Sequence, residues 1–240
     1  ISLPESMTKI REAAFYGTAI TEITIPDSVT AIGSYAFKNC AKLKKVNLSK
    51  ELKTIEESAF YACESMTKLI LPSNLTTIGD YAFRRCEGLQ LVEFSESLKK
   101  IGESAFYGCS DLSELVLPEG MTEIGAYAIY NSGFTGNLNV SDNVLKIGRW
   151  TFASCGFSGI LDLPARLNRI ENGVFSDCKF TGDLIIPENV TQIGNKAFDE
   201  CKFDGVLQLP NSLTQIGNGA FEMYEKAPDN IVVSFPIKDG

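Results

Sequence analysis

One short phrase governs this chain: an Ile, usually followed by Gly, then two variable residues, then Ala-Phe. The Ile falls at Ile10, Ile32, Ile55, Ile78, Ile101, Ile124, Ile147, Ile170, Ile193 and Ile216, with a first step of 22 residues and eight further steps of 23. A fixed period in this range marks a repeat architecture, in which one supersecondary unit is written many times and each copy stacks on its neighbours. Ten such units use nearly all of the 240 residues, so the expectation is one repeat domain over 1–240 with no room for a second.

Counting from each Ile gives the register of the unit. Five residues on stands Phe in nine units (Phe15, Phe37, Phe60, Phe83, Phe106, Phe152, Phe175, Phe198 and Phe221) and Ile129 in the tenth. Eight residues on stand all seven cysteines, with Thr18, Ser132 and Tyr224 in the other units. Six residues before the Ile is Pro in seven units and Ser49, Ser95 or Ser141 in the rest. Between the Cys and the Pro runs an alternating apolar segment such as Leu112-x-x-Leu115-x-Leu117-Pro118. Alternation over so few residues reads as a short strand, and the Pro, with no N–H to give a ladder, ends it. The stretch from Ile to Cys is too short for a long helix and reads as a single helical or 3-10 turn on the opposite side of the coil. The unit cannot bury its apolar side alone; stacking Leu on Leu and Phe on Phe does so.

The cysteines then lose their chemical significance. Seven is odd, so complete pairing within one chain is excluded. Stacked coils about 4.8 Å apart do not forbid a disulfide by distance, but parallel side chains in one slot point the same way. No paired C-x-x-C exists to hold zinc. The expectation is a file of buried free thiols acting as small hydrophobes. The chain has no His, which removes the commonest general base and metal ligand. No nucleophile elbow, phosphate loop, calcium loop or dinucleotide fingerprint is present. The reading is a non-catalytic protein that uses no cofactor and no metal. A net charge of −8 argues against a general grip on nucleic acid, and no apolar run approaches the roughly 18 residues of a membrane span.

The pattern L-x-x-L-x-L-P-x-x-L-T-x-I-G-x-x-A-F-x-x-C, well shown by Leu89 to Cys109 and Leu112 to Gly133, resembles the bacterial leucine-rich repeats of the BspA (Treponema) type. The resemblance implies an α/β repeat solenoid: a right-handed leucine-rich-repeat superhelix with a parallel concave sheet and short helical or 3-10 turns on the convex side. It also implies an extracellular or cell-surface location and attachment to host matrix proteins or to other cells. The turn after the strand, where leucine-rich repeats carry Asn or Cys, holds Ser28, Glu51, Asn74, Ser97, Gly120 and others, so no Asn ladder is expected there.

The units fall into two batches. Through Cys109 the link to the strand is C-x-x-L, with Met66 once for Leu; after a junction near 131–136 it becomes C-x-F-x-G. Phe134, Phe157, Phe180 and Phe203 then take the earlier Leu position, and the Gly two residues later relieves the backbone beside the larger ring. Two rounds of duplication or a functional joint both account for the switch. Tyrosines alternate between six residues after the Ile (Tyr16, Tyr61, Tyr107) and three after it (Tyr35, Tyr81, Tyr127), read as packing or as an exposed aromatic stripe. The run Lys42, Lys44, Lys45, Lys50, Lys53 reads as a solvated face, and the sequons at Asn47, Asn74, Asn139 and Asn189 as by-products of turn chemistry. Ile1 to Pro4 is already a strand, and Val233 to Pro236 resembles another after an irregular insert at Glu225 to Asn230. Both ends therefore look cut from a larger secreted chain.

What remains is the outward side of the strands. Its alternate positions carry two apolar groups, Ile70, Leu91, Val116 and Ile160, Ile185, Val206, separated by Asn137 and Asn139. Apolar clusters rimmed by charge are candidate protein-binding surfaces, although β-propensity alone also favours Ile and Val on a sheet face. The leading function is a surface-exposed adhesion or protein-binding module; the alternative is a structural spacer displaying another domain.

Overall fold

The computed structural model describes residues 1–222 and the strand Val233–Ser234. The insert at 225–230, Tyr224 and residues 235–236 lie outside the described residues. The chain winds as a parallel β-solenoid. Its longest ladder runs through the repeated Ile: strands Lys9–Ile10, Ala31–Ile32, Thr54–Ile55, Thr77–Ile78, Lys100–Ile101, Glu123–Ile124 and Lys146–Ile147 form one seven-stranded sheet. Arg169–Ile170, Gln192–Ile193 and Gln215–Ile216 continue as a three-stranded sheet. Every pairing sets one repeat against the next in register, Ile10 on Ile32 and so on to Ile193 on Ile216. The residue after this Ile is usually Gly because a side chain there would enter the coil before: a Cβ on Gly148 would lie 2.3 Å from the Ala126 nitrogen.

The leucine strands, expected to form the main sheet, are shorter ladders. Glu22–Thr24 pairs with Lys45–Asn47, Lys68–Ile70 with Leu91–Glu93, and Leu184–Ile185 with Leu207–Gln208, which pairs onward with Val233–Ser234. The first leucine segment contributes a single bridge, Ser2 to Thr24.

The expected helical or 3-10 turns are absent: among the described residues there is no helix. The arc from Ile to Cys is a ribbon of β-turns whose amides alternate between two destinations. In one coil Ala36, Lys38 and Cys40 donate to Gly33, Tyr35 and Phe37 three residues back, at 3.2, 3.0 and 3.1 Å. The amides between them, Tyr35, Phe37 and Asn39, donate to Glu57, Ala59 and Tyr61 of the next coil, at 2.9, 2.7 and 2.8 Å. The alternation is made by left-handed backbone at two slots per coil, three and seven residues after the Ile. Fifteen non-glycine residues adopt it, from Ala13 (φ 52) and Tyr35 (φ 60) to Glu200 (φ 60). Each such residue costs roughly 1–2 kcal/mol. A continuous helix would turn every amide inward, whereas this ribbon gives half of them to the neighbouring coil and so fastens the stack.

Inside the coil the Phe file is continuous. Rings from Phe15 through Phe106 stack at 5.1, 4.9, 5.3 and 5.3 Å, and again from Phe152 through Phe221 at 5.7, 5.5 and 5.5 Å, with Ile129 buried between the runs. The subtype switch is visible as a second file. Phe134, Phe157, Phe180 and Phe203 stack at 6.1–6.5 Å, and Phe157, Phe180 and Phe203 meet the first file edge-on. A three-stranded ladder, Thr135–Gly136, Gly156–Gly159 and Lys179–Phe180, appears only in this half. Gly136, Gly159 and Gly182 carry positive φ (78, 77 and 74), the relief expected beside the larger ring, whereas Gly205 after Phe203 does without it.

Trp150, the single tryptophan, is held over Gly173, where an added Cβ would lie 2.3 Å from the indole and where φ is +63. Gly173→Ala is therefore expected to destabilise the fold by about 1–3 kcal/mol and to red-shift the tryptophan emission, as read by fluorescence during urea unfolding. An unchanged spectrum and midpoint would contradict the packing assigned to Gly173.

Candidate functional site

All six residues singled out on the strand face are exposed, at 53% for Ile70, 37% for Leu91, 67% for Val116, 72% for Ile160, 54% for Ile185 and 37% for Val206. Their chain neighbours Leu69, Val92, Leu115, Leu161, Leu184 and Leu207 are buried, so alternation divides core from surface even at Leu112 to Leu117 and at 160–163, where the expected strand does not form a ladder. The pairing places the apolar groups on diagonals. Ile70 stands opposite Glu93 and Lys68 opposite Leu91, while Ile185 stands opposite Gln208. The two trios are not brought together; exposed Asn137 and Asn139 lie in the coil between them.

Three grooves follow this face. One of about 610 Å³ is lined by Ile160, Ile185, Asp162, Asp183, Pro187 and Glu188 among others. A smaller one of about 290 Å³ lies along Leu91, Val116, Glu93, Glu96, Glu114 and Pro118. The third, about 580 Å³, joins Ile70 to Lys44, Lys45, Lys50 and Lys68. The face thus runs from basic to acidic along the stack. Lys68 neutralises Glu93 at 3.0 Å.

The arc carries a different surface. Lys38 lies over the rings of Tyr35 and Tyr61, Arg84 over Tyr81 and Tyr107, and Arg149 over Tyr127, at 3.9–5.8 Å from ring centroids. The Tyr35 and Tyr81 hydroxyls donate to Glu57 and Glu103 of the next coil, both at 2.9 Å. These five rings are half-buried and occupied by one another and by cations, which favours the packing reading. In two places the alternation of Tyr between slots has a cause: Lys38 and Arg84 each lie between the ring three residues after their own Ile and the ring six residues after the next.

The cysteines are free and buried, as expected, but they are more than small hydrophobes. Each thiol donates to the carbonyl of the Phe-file residue one coil earlier, from Cys40 to Phe15 at 3.0 Å and Cys63 to Phe37 at 3.2 Å through to Cys201 and Phe175 at 3.1 Å. Ser132 makes the same bond to Phe106 at 2.6 Å. The hydroxyl residues Thr18 and Ser132 in an otherwise Cys slot were the sequence signal for a donor. Burial pushes the Cys86, Cys155 and Cys201 thiols up to about 12, and raises Cys63, Cys109 and Cys178 as well. A thiol held protonated is a poor nucleophile and a poor metal ligand. Among the described residues no group of three or more Cys, Asp or Glu is arranged to hold a metal ion, and no helix is long and apolar enough to cross a membrane.

Asparagine plays a part not foreseen in the turn after the strand. Asn74, Asn143 and Asn189 each donate to a backbone carbonyl of the preceding coil, at 3.2, 3.0 and 3.0 Å, as isolated rungs rather than a ladder. Elsewhere Asn172, Asn195 and Asn218 form two consecutive rungs at 2.8 Å. Of the sequon residues, Asn47, Asn74 and Asn189 spend their amides on neighbouring coils. The lysines from Lys42 to Lys53 are exposed.

Coils of one 22–23-residue design, joined by parallel ladders and filled by aligned Leu and Phe, define a leucine-rich-repeat solenoid with an exposed strand face. The profile of the BspA type leucine rich repeat region, in six copies, matches residues 1–113 and 99–227, and the chain belongs to that family. Repeats of this kind generally serve as protein-interaction modules without catalytic activity. Among solved structures, the pneumococcal vaccine antigen PcpA is similar at a TM-score of 0.57 and 24% identity, over 88% of this chain and 57% of that one. The Treponema pallidum leucine rich repeat protein is similar at a TM-score of 0.39 and 21% identity, over 95% and 78% of the two chains. A leucine-rich repeat protein from Bacteroides capillosus reaches 36% identity over 38% of this chain and 72% of its own, with a TM-score of 0.36. No match was found among curated proteins.

Proposed function

We propose that this chain is a non-catalytic, surface-exposed binding module that attaches to a host matrix protein or to another cell through its strand face. One observation carries the reading: of the ten large hydrophobic residues exposed among the described residues, six are Ile70, Leu91, Val116, Ile160, Ile185 and Val206, all on that face. Exposed apolar groups concentrated on one face and bordered by charge are what a protein-binding surface requires. Matrix attachment and the extracellular address come from the resemblance, since a fold does not by itself fix a ligand.

The test is a panel of immobilised matrix proteins probed with the wild-type chain and with Ile70→Asp plus Ile185→Asp. Binding is expected to be abolished in the variant. The unfolding midpoint should stay within about 2 °C, because exposed substitutions away from the core usually cost under about 0.5 kcal/mol. A wild-type face that binds nothing across the panel would favour a spacer that holds another domain away from the cell.

A further inference from the structure

The strand face is not uniform, and its C-terminal groove specifies a partner more narrowly than apolarity does. Resting on the reading of this face as the binding surface, we propose that the groove over Ile160 and Ile185 takes an extended segment of a partner protein in which apolar side chains and lysine or arginine take turns at every second residue. Ile160 and Ile185 are among the most exposed large apolar residues of the chain, at 72% and 54%. The groove beside them holds about 610 Å³, within the size range of small-ligand sites and enough for several side chains. Its charged lining residues are Asp162, Asp183 and Glu188, with no Lys or Arg among the lining residues.

The other apolar trio is mixed: the groove at Ile70 is lined by Lys44, Lys45, Lys50 and Lys68, and Glu93 pairs with Lys68 at 3.0 Å, while Glu96 and Glu114 beside Leu91 and Val116 stay acidic on a smaller groove of about 290 Å³. No ion pair of the described residues involves Asp162, Asp183 or Glu188. Asp183 is partly committed, since its carboxylate accepts the Val206 N–H at 2.7 Å. A side chain docked on Ile160 or Ile185 brings its flanking residues beside these carboxylates as water leaves. Cations are then favoured and anions are rejected by like charge. The spacing follows from placement, because a carboxylate stands two residues from each exposed apolar group: Ile160 is two residues from Asp162, and Ile185 two from Asp183. An extended segment presents alternate side chains to one face at the same two-residue period.

The experiment is selection of a displayed library of random 12-residue peptides on the whole chain, followed by fluorescence polarisation with the synthesised winners. Two variants accompany it: Asp162→Asn with Glu188→Gln, which removes charge and spares Asp183, and Ile160→Ser with Ile185→Ser. Winners are expected to set apolar residues and Lys or Arg two residues apart, to lose about tenfold in affinity in either variant, and to weaken as salt rises. Acidic or neutral winners that still lose binding in the Ile160/Ile185 variant would overturn the charge assignment and leave the face as a docking surface. Winners indifferent to both variants and to Ile70→Asp with Ile185→Asp would remove the surface reading as well. A concentration-dependent dimer abolished by Ile160→Ser with Ile185→Ser would assign the groove to a second copy and overturn the proposal.

Discussion

Held under reductant and raised above pH 9, the chain is expected to lose stability steeply and to unfold at about pH 10 to 11. The cause is the thiol file. Burial raises six thiols above their ordinary 9.0, in Cys63, Cys86, Cys109, Cys155, Cys178 and Cys201. The folded state therefore holds these protons more tightly than the unfolded chain does. A group raised in this way gives its full stability below the unfolded value and loses it as pH climbs toward the folded one, which is about 12 for Cys86, Cys155 and Cys201. One pH unit above the unfolded value the loss is on the order of 1 kcal/mol per thiol. Over six thiols the loss is on the order of several kcal/mol at pH 10, comparable with the roughly 5–15 kcal/mol that holds a typical domain folded. The Tyr35 and Tyr81 hydroxyls are also raised, by their hydrogen bonds to Glu57 and Glu103, but they lie near solvent and add little.

Urea unfolding followed by circular dichroism from pH 7 to 11 measures this directly. A triple variant, Cys86→Ser, Cys109→Ser and Cys178→Ser, separates the cause from general alkaline damage. Serine keeps the donor, as Ser132 does at 2.6 Å to Phe106, but has no proton to lose in this range. The variant should retain cooperative unfolding at pH 7 and halve the alkaline slope. A wild-type profile flat to pH 11 would mean that the thiols ionise without opening the stack.

The period, the buried Phe and Leu files, the single Cys slot and the outward side of the strands were all legible, because each is a side-chain identity recurring at a fixed offset. Ile160 and Ile185 could be placed on the surface from alternation alone, and they are exposed. The arc was not legible, for a physical reason. Its two left-handed slots mostly hold residues such as Ala13, Tyr35, Ser58, Lys196 and Glu200, and the Gly or Asn that advertises positive φ stands there only in scattered coils, at Gly17, Asn39, Gly108, Asn131, Gly173 and Gly219. The conformation there is imposed by hydrogen bonds to the next coil, such as Tyr35 to Glu57 and Phe37 to Ala59, and no window within one repeat contains both partners. The same blindness hid the thiol as a donor: the Phe15 carbonyl that Cys40 reaches is 25 residues away. What a single repeat does to itself can be read from its residues, whereas what it does to its neighbour requires the stack.

The heaviest single substitution follows from the same stacking. Phe83→Ala is expected to cost about 3–5 kcal/mol and to lower the unfolding midpoint by about 10–15 °C. Phe83 is fully buried and lies between Phe60 and Phe106, 5.3 Å from each ring, inside the longer unbroken run. Removing it leaves a cavity that neither neighbour can fill, since Phe60 and Phe106 are fixed by the amide ribbon, whose Phe60 and Phe106 N–H groups donate to Ala82 and Ala128, both at 2.7 Å. In a linear array stability is close to a sum of units and nearest-neighbour interfaces, so one substitution weakens two interfaces at once. Phe83→Ile is the discriminating control. The tenth unit already carries Ile129 in this slot, fully buried between Phe106 and Phe152 without a ring to stack on, so an aliphatic side chain fits the coil. That variant should cost about 1–2 kcal/mol, the part owed to lost stacking and volume. Calorimetry of both variants separates the contributions. If the two cost the same, ring stacking rather than filled volume holds the spine; if Phe83→Ala costs under about 1 kcal/mol, the coils slide to close the gap and the stack is softer than its ladders imply.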